Sequence, residues 1–444
     1  VTRATFYGWG RTTASIASLA SPDSEDAVRA QLSTKVPMIA RGLGRSYGDA
    51  AQLSGGLVVS NLGLSDVGAI DERGVVTLGA GVSVDQLLRV TIPQGWFIPV
   101  TPGTRQVSVG GAIAADVHGK NHHRDGSFGA HVLELCVATP KGMFRVSPSN
   151  DPDLFWATVG GMGLTGFVTS ATIRLLRLET DQVLVDTERF DGLDQVMAAM
   201  SERDHLYRYS VAWVDCMTRG SKMGRSILTR ANHAAPSDLD AVTLAAPRDA
   251  KAVVPFDAPS GLLNRFSVRL FNELWFRSAP RRREHEPQGL ASFFHPLDGV
   301  RDWNRLYGKR GFVQYQFCVP DESSETIGEA ITRLSSSGVA SFLAVLKRFG
   351  PANASPLSFP LPGWTLALDL PVGAGALPGV LDDLDAMVLA AGGRIYFAKD
   401  ARLAPEHVRA MYPRLDEFLA VKRRVDPENQ MTSDLARRLQ LVGK

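Results

Sequence analysis

The chain has 444 residues, enough for two or three domains with large cores. Hydrophobic residues make up 44% and charged residues 21%, and the formal net charge is +2, so the balance is that of a globular protein without the basic excess of a nucleic-acid binder. Cys136, Cys216 and Cys318 are odd in number and far apart, which gives neither a disulfide framework nor a CxxC metal site. No apolar run approaches the ~18 residues of a membrane span, and residues 1–21 lack the charged-then-apolar pattern of a signal peptide. Any membrane role is therefore expected to be peripheral.

In chain order, Ser21-Pro22 predicts a helix start, with serine as N-cap and proline at the first helical position. Residues 36–40 (Val-Pro-Met-Ile-Ala) predict a short buried strand running into a glycine-rich turn, and residues 75–78 a second strand. Ser83-Val-Asp-Gln86 fits a capping box and predicts a helix ending near Gly95. Residues 1–178 thus read as alternating strands and helices, and residues 179–393 as a different unit. There, residues 311–319, 341–347 and 364–370 read as strands, the first and last with the period-two pattern of half-buried ones. With intervening helices they predict an antiparallel sheet covered by helices on one face, an α+β arrangement. Residues 233–300, rich in Ala, Pro, Ser and Arg, read as a long, partly mobile loop region. Residues 394–444 return to a compact, charged helical pattern.

Three glycine-rich segments carry the chemistry. Arg41-Gly-Leu-Gly-Arg-Ser-Tyr-Gly48 follows a strand directly, and its glycines let successive N–H groups turn toward an anion. Its spacing is GxGxxxG rather than the dinucleotide GxGxxG, so by itself it fits a tight turn as well as a phosphate cradle. Residues 99–104 (PVTPGT) lead to Gly110-Gly-Ala-Ile-Ala-Ala-Asp-Val-His-Gly119, where small residues admit a flat or charged group or allow close helix–strand packing. Gly160-Gly-Met-Gly-Leu-Thr-Gly166 repeats the theme. Three such loops in one unit suit a long ligand with a pyrophosphate and a planar ring.

The segments RGLGRSYGDA, PVTPGTRQVSVGGAIAADVHGKNHH and DPDLFWATVGGMGLTGFV resemble the FAD-contacting segments of the vanillyl-alcohol-oxidase, or PCMH-type, flavoproteins. GWGR, HGKNHHRDGSFG, GFVQYQF, YFAKDARL and VDPENQMTSDLARRL resemble, within them, the oxidase subunits of decaprenylphosphoryl-β-D-ribose 2-epimerases. The resemblance implies a two-domain PCMH-type fold. Its FAD domain is formed by residues 1–178 with the 394–444 segment, and its substrate domain by 179–393. It implies oxidation of the ribose 2-hydroxyl to a ketone that a separate NADH-dependent reductase reduces, in making the arabinose donor for actinobacterial cell-wall arabinan. It also implies a polyprenyl-phosphate sugar as substrate and a peripheral place at the inner membrane, on the periplasmic side, with the cytoplasmic side left open.

By the same resemblance, FAD contacts come from Arg41, Gly42, Leu43, Gly44, Arg45, Ser46, Tyr47 and Gly48 in the first loop. Pro102, Gly103, Thr104, Ser108, Gly110, Gly111, Ala114, Asp116, His118, Gly119, Asn121 and His123 follow in the second. Gly163, Gly166, Val168 and Tyr396 complete the set. Related proteins with covalent FAD carry a histidine where this chain has Arg45, which implies non-covalent FAD. Gln314 and Gln316 lie two apart and face one side of a strand, Tyr315 the other. Taken alone the pair fits a solvated face. The resemblance implies that both glutamines contact substrate, with Lys347, Lys399 and Thr365, and that Lys399, His118 and Tyr47 are catalytic. Adjacent histidines in HGKNHH rarely converge on one ion, so no metal is expected. Some family members carry a cysteine at Ala367 and an asparagine at Thr365, a departure that bears on substrate fit and inhibitor response. A membrane contact is expected in the 233–300 region, from Phe266, Leu270, Leu274, Trp275 and Phe276 beside Arg281-Arg-Arg283. A small-polyol or sugar-lactone oxidase and a flavin-binding scaffold without turnover are the alternatives.

Overall fold

The computed structural model describes residues 2–441 apart from 260, 340, 342 and 374. Near the N-terminus, β1 (Thr2–Tyr7) pairs antiparallel with β2 (Ala14–Ala20), and β2 and β3 (Met38–Arg41) flank β4 (Leu57–Ser60) in parallel. A second, antiparallel sheet has β5 (Val75–Gly79), β9 (Phe167–Arg174), β7 (Val132–Thr139) and β8 (Gly142–Val146) in that order. Two short pairs join β6 (Trp96–Phe97) to β10 (Leu176–Arg177) and β14 (Ala252–Val253) to β16 (Val300–Arg301).

The third sheet has eight strands, all paired antiparallel. Their order is β15 (Arg282–Gly289), β11 (Gln182–Phe190), β13 (Ser226–His233), β12 (Tyr209–Val214), β18 (Ala344–Phe349), β19 (Gly363–Pro371), β17 (Phe312–Pro320) and β20 (Arg394–Ile395). Strand alternation sends Leu228, Ala212, Leu346, Leu366, Leu368 and Phe317 to one face. There they share a core with Val196, Ile327, Ile331, Leu381 and Leu384 of the helices Leu193–Arg203, Glu325–Ser337 and Leu377–Ala390. This is the α+β sheet covered by helices that the sequence implies. The 312–320 and 363–371 strands differ from expectation in being buried on both faces, because the glycine-rich loops close over the face away from the helices.

The capping box is present: Ser83 caps Val84–Thr91, and Gly95 ends the following turn in the left-handed region at φ 77°. The first helix starts later than Ser21-Pro22. It spans Glu25–Leu32 and is capped by Ser24, whose hydroxyl accepts from Ala27 N at 3.3 Å, with Glu25 and Asp26 favouring the positive helix end. Residues 233–300 are a loop only in part: among the described residues, 239–251 carry no helix or strand. The region also contains a 14-residue helix, Arg265–Ser278, capped by Asn264, and the edge strand β15. The tail returns to the N-terminal sheet: Arg438 donates to Asp49 at 2.7 and 2.9 Å, and Asp434 accepts from Ser54 N at 2.9 Å.

Candidate active site

A cavity of about 1070 Å³ opens between the glycine-rich loops and the face of the eight-stranded sheet opposite the helices. One wall comes from Gly42, Leu43, Gly44, Arg45, Ser46 and Tyr47, from Pro102, Gly103, Thr104, Ser108, Gly110, Gly111 and Ala114, and from Gly163, Gly166 and Val168. A Cβ on Gly42 would overlap Ser108 Oγ, so glycine is what lets the first loop lie on the second, whereas Gly103 faces open space. Arg45 stacks on Trp9 at 4.1 Å and donates to the Leu43 carbonyl at 2.8 Å. Asn61 also lines the cavity. Its Nδ2 is spent on the Ala80 carbonyl at 3.0 Å, while its buried Oδ1 has no partner.

The other end gathers His118, Gly119, Gln314, Gln316, Lys347, Tyr396, Lys399 and Tyr47. The two glutamines do share a face, and the Tyr315 hydroxyl points the other way, donating to Asp385 at 2.9 Å. Gln316 Nε2 lies 3.0 Å from His118 Nε2 and donates to Thr365 Oγ1 at 3.1 Å; the Thr365 hydroxyl donates on to the Phe317 carbonyl at 2.8 Å. Lys347 Nζ lies 3.2 Å from His118 Nδ1, so both ring nitrogens of His118 are engaged. Gln314 donates to Asp369 Oδ1 at 2.5 Å. Lys399 Nζ sits 3.9 Å from the Tyr47 ring centroid.

Burial sets the charges here. It lowers Lys399 to about 7, opposed by Asp369 and helped by Lys347. It lowers Lys347 to about 8. His118 falls well below the imidazole range through burial and then Lys347. Tyr47 rises well above the phenol range through burial and then Asp369. Asp369 itself is raised to about 6 by burial.

Six residues expected at the cofactor or substrate do not line the cavity. Arg41 turns away to the carbonyls of Ala51 and Tyr7, each at 2.7 Å, and Gly48 packs tightly against Asp400 and Ala401. Asp116, with φ 41°, is fully buried behind the second loop. It accepts from Ser127, Gly129 N, Asn353 and Ser358, and so fastens that loop to residues 353–358. Asn121 donates to the Pro99 carbonyl at 2.8 Å and to Asp125, and His123 lies 3.0 Å from the Tyr207 carbonyl. Thr365 is wholly buried beneath Gln316. The three histidines of HGKNHH serve separate partners, with His122 accepting from Gly350 N at 3.1 Å.

Lys120, Asp369 and Arg105 line or border the cavity without having been singled out from sequence. Lys120 is lowered to about 7 by burial and then by Lys347, and rests 4.0 Å from the Phe293 ring centroid. Its place one residue beyond His118-Gly119 is the sequence signal that could have found it.

Residues 17–147 match the family model described as FAD binding domain, and residues 381–439 that of D-arabinono-1,4-lactone oxidase. The chain is 45% identical to the decaprenylphosphoryl-β-D-ribose oxidase of Mycolicibacterium smegmatis, over 98% of this chain and 97% of that protein. It is 40% identical to an uncharacterized protein of Streptomyces coelicolor, over 81% of this chain and all of that one. Cytokinin dehydrogenase 2 of Arabidopsis thaliana is 32% identical over 31% of this chain and 27% of its own length. The cavity suits FAD: Gly103 leaves room for close backbone approach, and the unpartnered Asn61 Oδ1 is a buried acceptor awaiting a donor. The chain is an FAD-dependent oxidoreductase and belongs to the family of the decaprenylphosphoryl-β-D-ribose oxidases.

Proposed function

We propose that this protein oxidises the ribose 2-hydroxyl of decaprenylphosphoryl-β-D-ribose to the 2-keto sugar. This is the first half of an epimerisation that a separate NADH-dependent reductase completes toward the arabinose donor of cell-wall arabinan. The observation that carries the reading is the meeting of Lys399, Tyr47, His118, Gln314, Gln316 and Lys347, from five separate chain segments, at one end of a cavity lined by the glycine loops. The near full-length relative names the substrate. FAD, bound without a covalent link because Arg45 cannot form one, supplies the hydride acceptor.

Geometry and charge rank the bases. His118 has both nitrogens engaged and resists protonation, and Tyr47 stays a phenol that donates rather than accepts. Lys399, brought to about 7, is in part a neutral amine at neutral pH and takes the hydroxyl proton at Nζ. Gln314 and Gln316 orient the sugar hydroxyls. Lys347 and Lys120, the latter donating to the Phe293 carbonyl, also lie in the cavity, where the negative charge of a bound phosphate would raise both amines and hold them protonated. We assign residues 1–178 with 394–444 to the cofactor and 179–393 to the substrate.

Among the described residues no helix is long and apolar enough to cross a membrane. The Arg265–Ser278 helix exposes Phe266, Leu270 and Leu274 and supports a peripheral contact at the inner membrane. Phe276, named above for this contact, is buried and takes no part.

Anaerobic addition of a polyprenylphosphoryl ribose should bleach the flavin band within a few turnovers' time, whereas xylitol and sugar lactones should not. Bleaching by a lactone alone would favour the lactone-oxidase reading, which the 381–439 match supports. No bleaching by any of them would leave a flavin-binding scaffold.

A further inference from the structure

The cavity does not end at the polar group around Lys399. Cross-strand pairing lays one continuous row of residues across five strands on its sheet face: Gln316 opposite Ala367, Ala367 opposite Val345, Val345 opposite Trp213, and Trp213 opposite Ile227. All five line the cavity. The row is polar at Gln316, small at Ala367 and apolar from Val345 outward. Two inter-strand steps separate Val345 from Ile227, roughly 10 Å at the usual strand spacing.

The Arg265–Ser278 helix stands at the apolar end. It is fastened there by Asn272, which donates to Asp215 Oδ1 at 2.8 Å just past β12, and by Glu273, which pairs with Arg225 at 2.6 Å just before β13. These ties turn Val268, Asn272 and Phe276 inward and leave Phe266, Leu270 and Leu274 outward. Between the two stripes lie Phe271 and Trp275, one turn apart with rings stacked at 6.2 Å and 6°, and both line the same cavity. The helix is therefore apolar on three sides. One side is core, one faces outward, and the third closes the cavity's apolar limb.

Resting on the reading that the substrate is a polyprenylphosphoryl sugar, we infer that this limb is a built isoprenoid site. The first isoprene unit lies along Val345, the next ones lie along Trp213 and Ile227 against Phe271 and Trp275, and the rest of the chain leaves past the exposed stripe of the helix. Continuity with the polar end selects an isoprenoid chain tethered to a phosphate as the occupant. The limb has no charged side chain between Ala367 and Ile227 on its row, while Lys347 and Lys120 stand at the phosphate end. Ala367 widens the passage between the two ends.

The test is calorimetric titration of the FAD-loaded enzyme with dimethylallyl, geranyl and farnesyl phosphate below their micelle-forming concentrations, without vesicles. Affinity should climb with each unit, reaching at least ~30-fold from the five-carbon to the fifteen-carbon compound, since each buried methylene adds a several-fold factor. The double variant Phe271→Ser/Trp275→Ser, on a half-exposed helix side, should lose at least ~10-fold for farnesyl phosphate and leave dimethylallyl phosphate unchanged. Equal affinities across the series would overturn the inference, and so would a gain that the double variant preserves. A parallel anaerobic measurement with phosphoryl-ribose donors separates the two readings. Farnesyl phosphate binding in the limb without flavin bleaching by any donor would sink the substrate assignment and keep the limb. Bleaching that is as easily saturated by a five-carbon as by a fifteen-carbon donor would do the reverse.

Discussion

Lys399 Nζ stands 3.9 Å from the centre of the Tyr47 ring, a cation–aromatic contact that brings the Ala398-Lys399 turn against the first glycine loop. The backbone reinforces it, with Tyr47 N donating to the Ala398 carbonyl at 2.9 Å. This fixes the amine in a buried place at the polar end of the cavity, where the proposed reaction needs a base. Lys399→Ala should leave the fold and most of the FAD in place and slow flavin reduction at least ~100-fold, the low end for a positioned proton-transfer group. Anaerobic stopped-flow absorbance gives the rate. Reduction near the parent rate would remove Lys399 from the mechanism and return the base to His118.

The pH dependence has a definite sign. Burial lowers Lys399 to about 7, and the neutral amine is the form that accepts a proton. The rate of flavin reduction should therefore rise as pH passes through about 7 and level off above it. Asp369 raises Lys399 by its charge, so Asp369→Asn, which can still accept from Gln314, should move the rise to lower pH. A rate that falls through the same range would mean that the ammonium, not the amine, is the working form.

Arg45 bears on how the cofactor is held. Its guanidinium stacks on Trp9 and offers no nucleophile to the flavin ring. Acid precipitation of the holoenzyme should release all yellow colour into the supernatant. Colour retained in the pellet would show a covalent link formed elsewhere in the chain.

The parts legible in sequence were those where a local rule and the tertiary structure agree. Period two put Gln314 and Gln316 on one face and Tyr315 on the other, and the Ser83 capping box opened its helix as read. The misreadings have physical causes. Ser24 outcompetes Ser21 as a cap because Glu25 and Asp26 follow it. The Arg265–Ser278 helix hid as a loop because its apolar residues occupy three sides and leave no single-stripe pattern. Asp116, Asn121 and His123 share the second loop with His118, but sequence adjacency does not say which side chains face a cavity and which are spent behind it.

Asp116 illustrates that difference in energetic terms. Its fully buried carboxylate is raised by desolvation and brought down again by hydrogen bonds from Ser358, Gly129, Ser127 and Asn353. Asp116→Ala leaves those four donors buried without an acceptor and should cost about 3 kcal/mol of stability. Asp116→Asn, which keeps one oxygen, should cost less. Urea unfolding of the FAD-free chain separates this from a cofactor contact, because a residue that only touched FAD would change nothing there.

Ala367 lies on the cavity floor between Gln316 and Val345 and carries no nucleophile. The three cysteines are elsewhere: Cys216 and Cys318 are buried with their thiols pushed up, Cys318 to about 12, and none lines the cavity. A thiol-directed nitroaromatic inhibitor that depends on a cysteine on this strand should therefore leave no adduct on the unmodified protein, by intact mass after turnover. Ala367→Cys should create one, because the new sulfur would face the cavity one strand away from Gln316. The added sulfur also narrows the passage toward Val345, so the variant should bind long-chain donors less tightly while keeping its flavin spectrum. An adduct mapped to β19 of the unmodified chain would contradict the placement of Ala367. An Ala367→Cys protein that stays unlabelled after turnover would show that the reactive species forms at another part of the cavity.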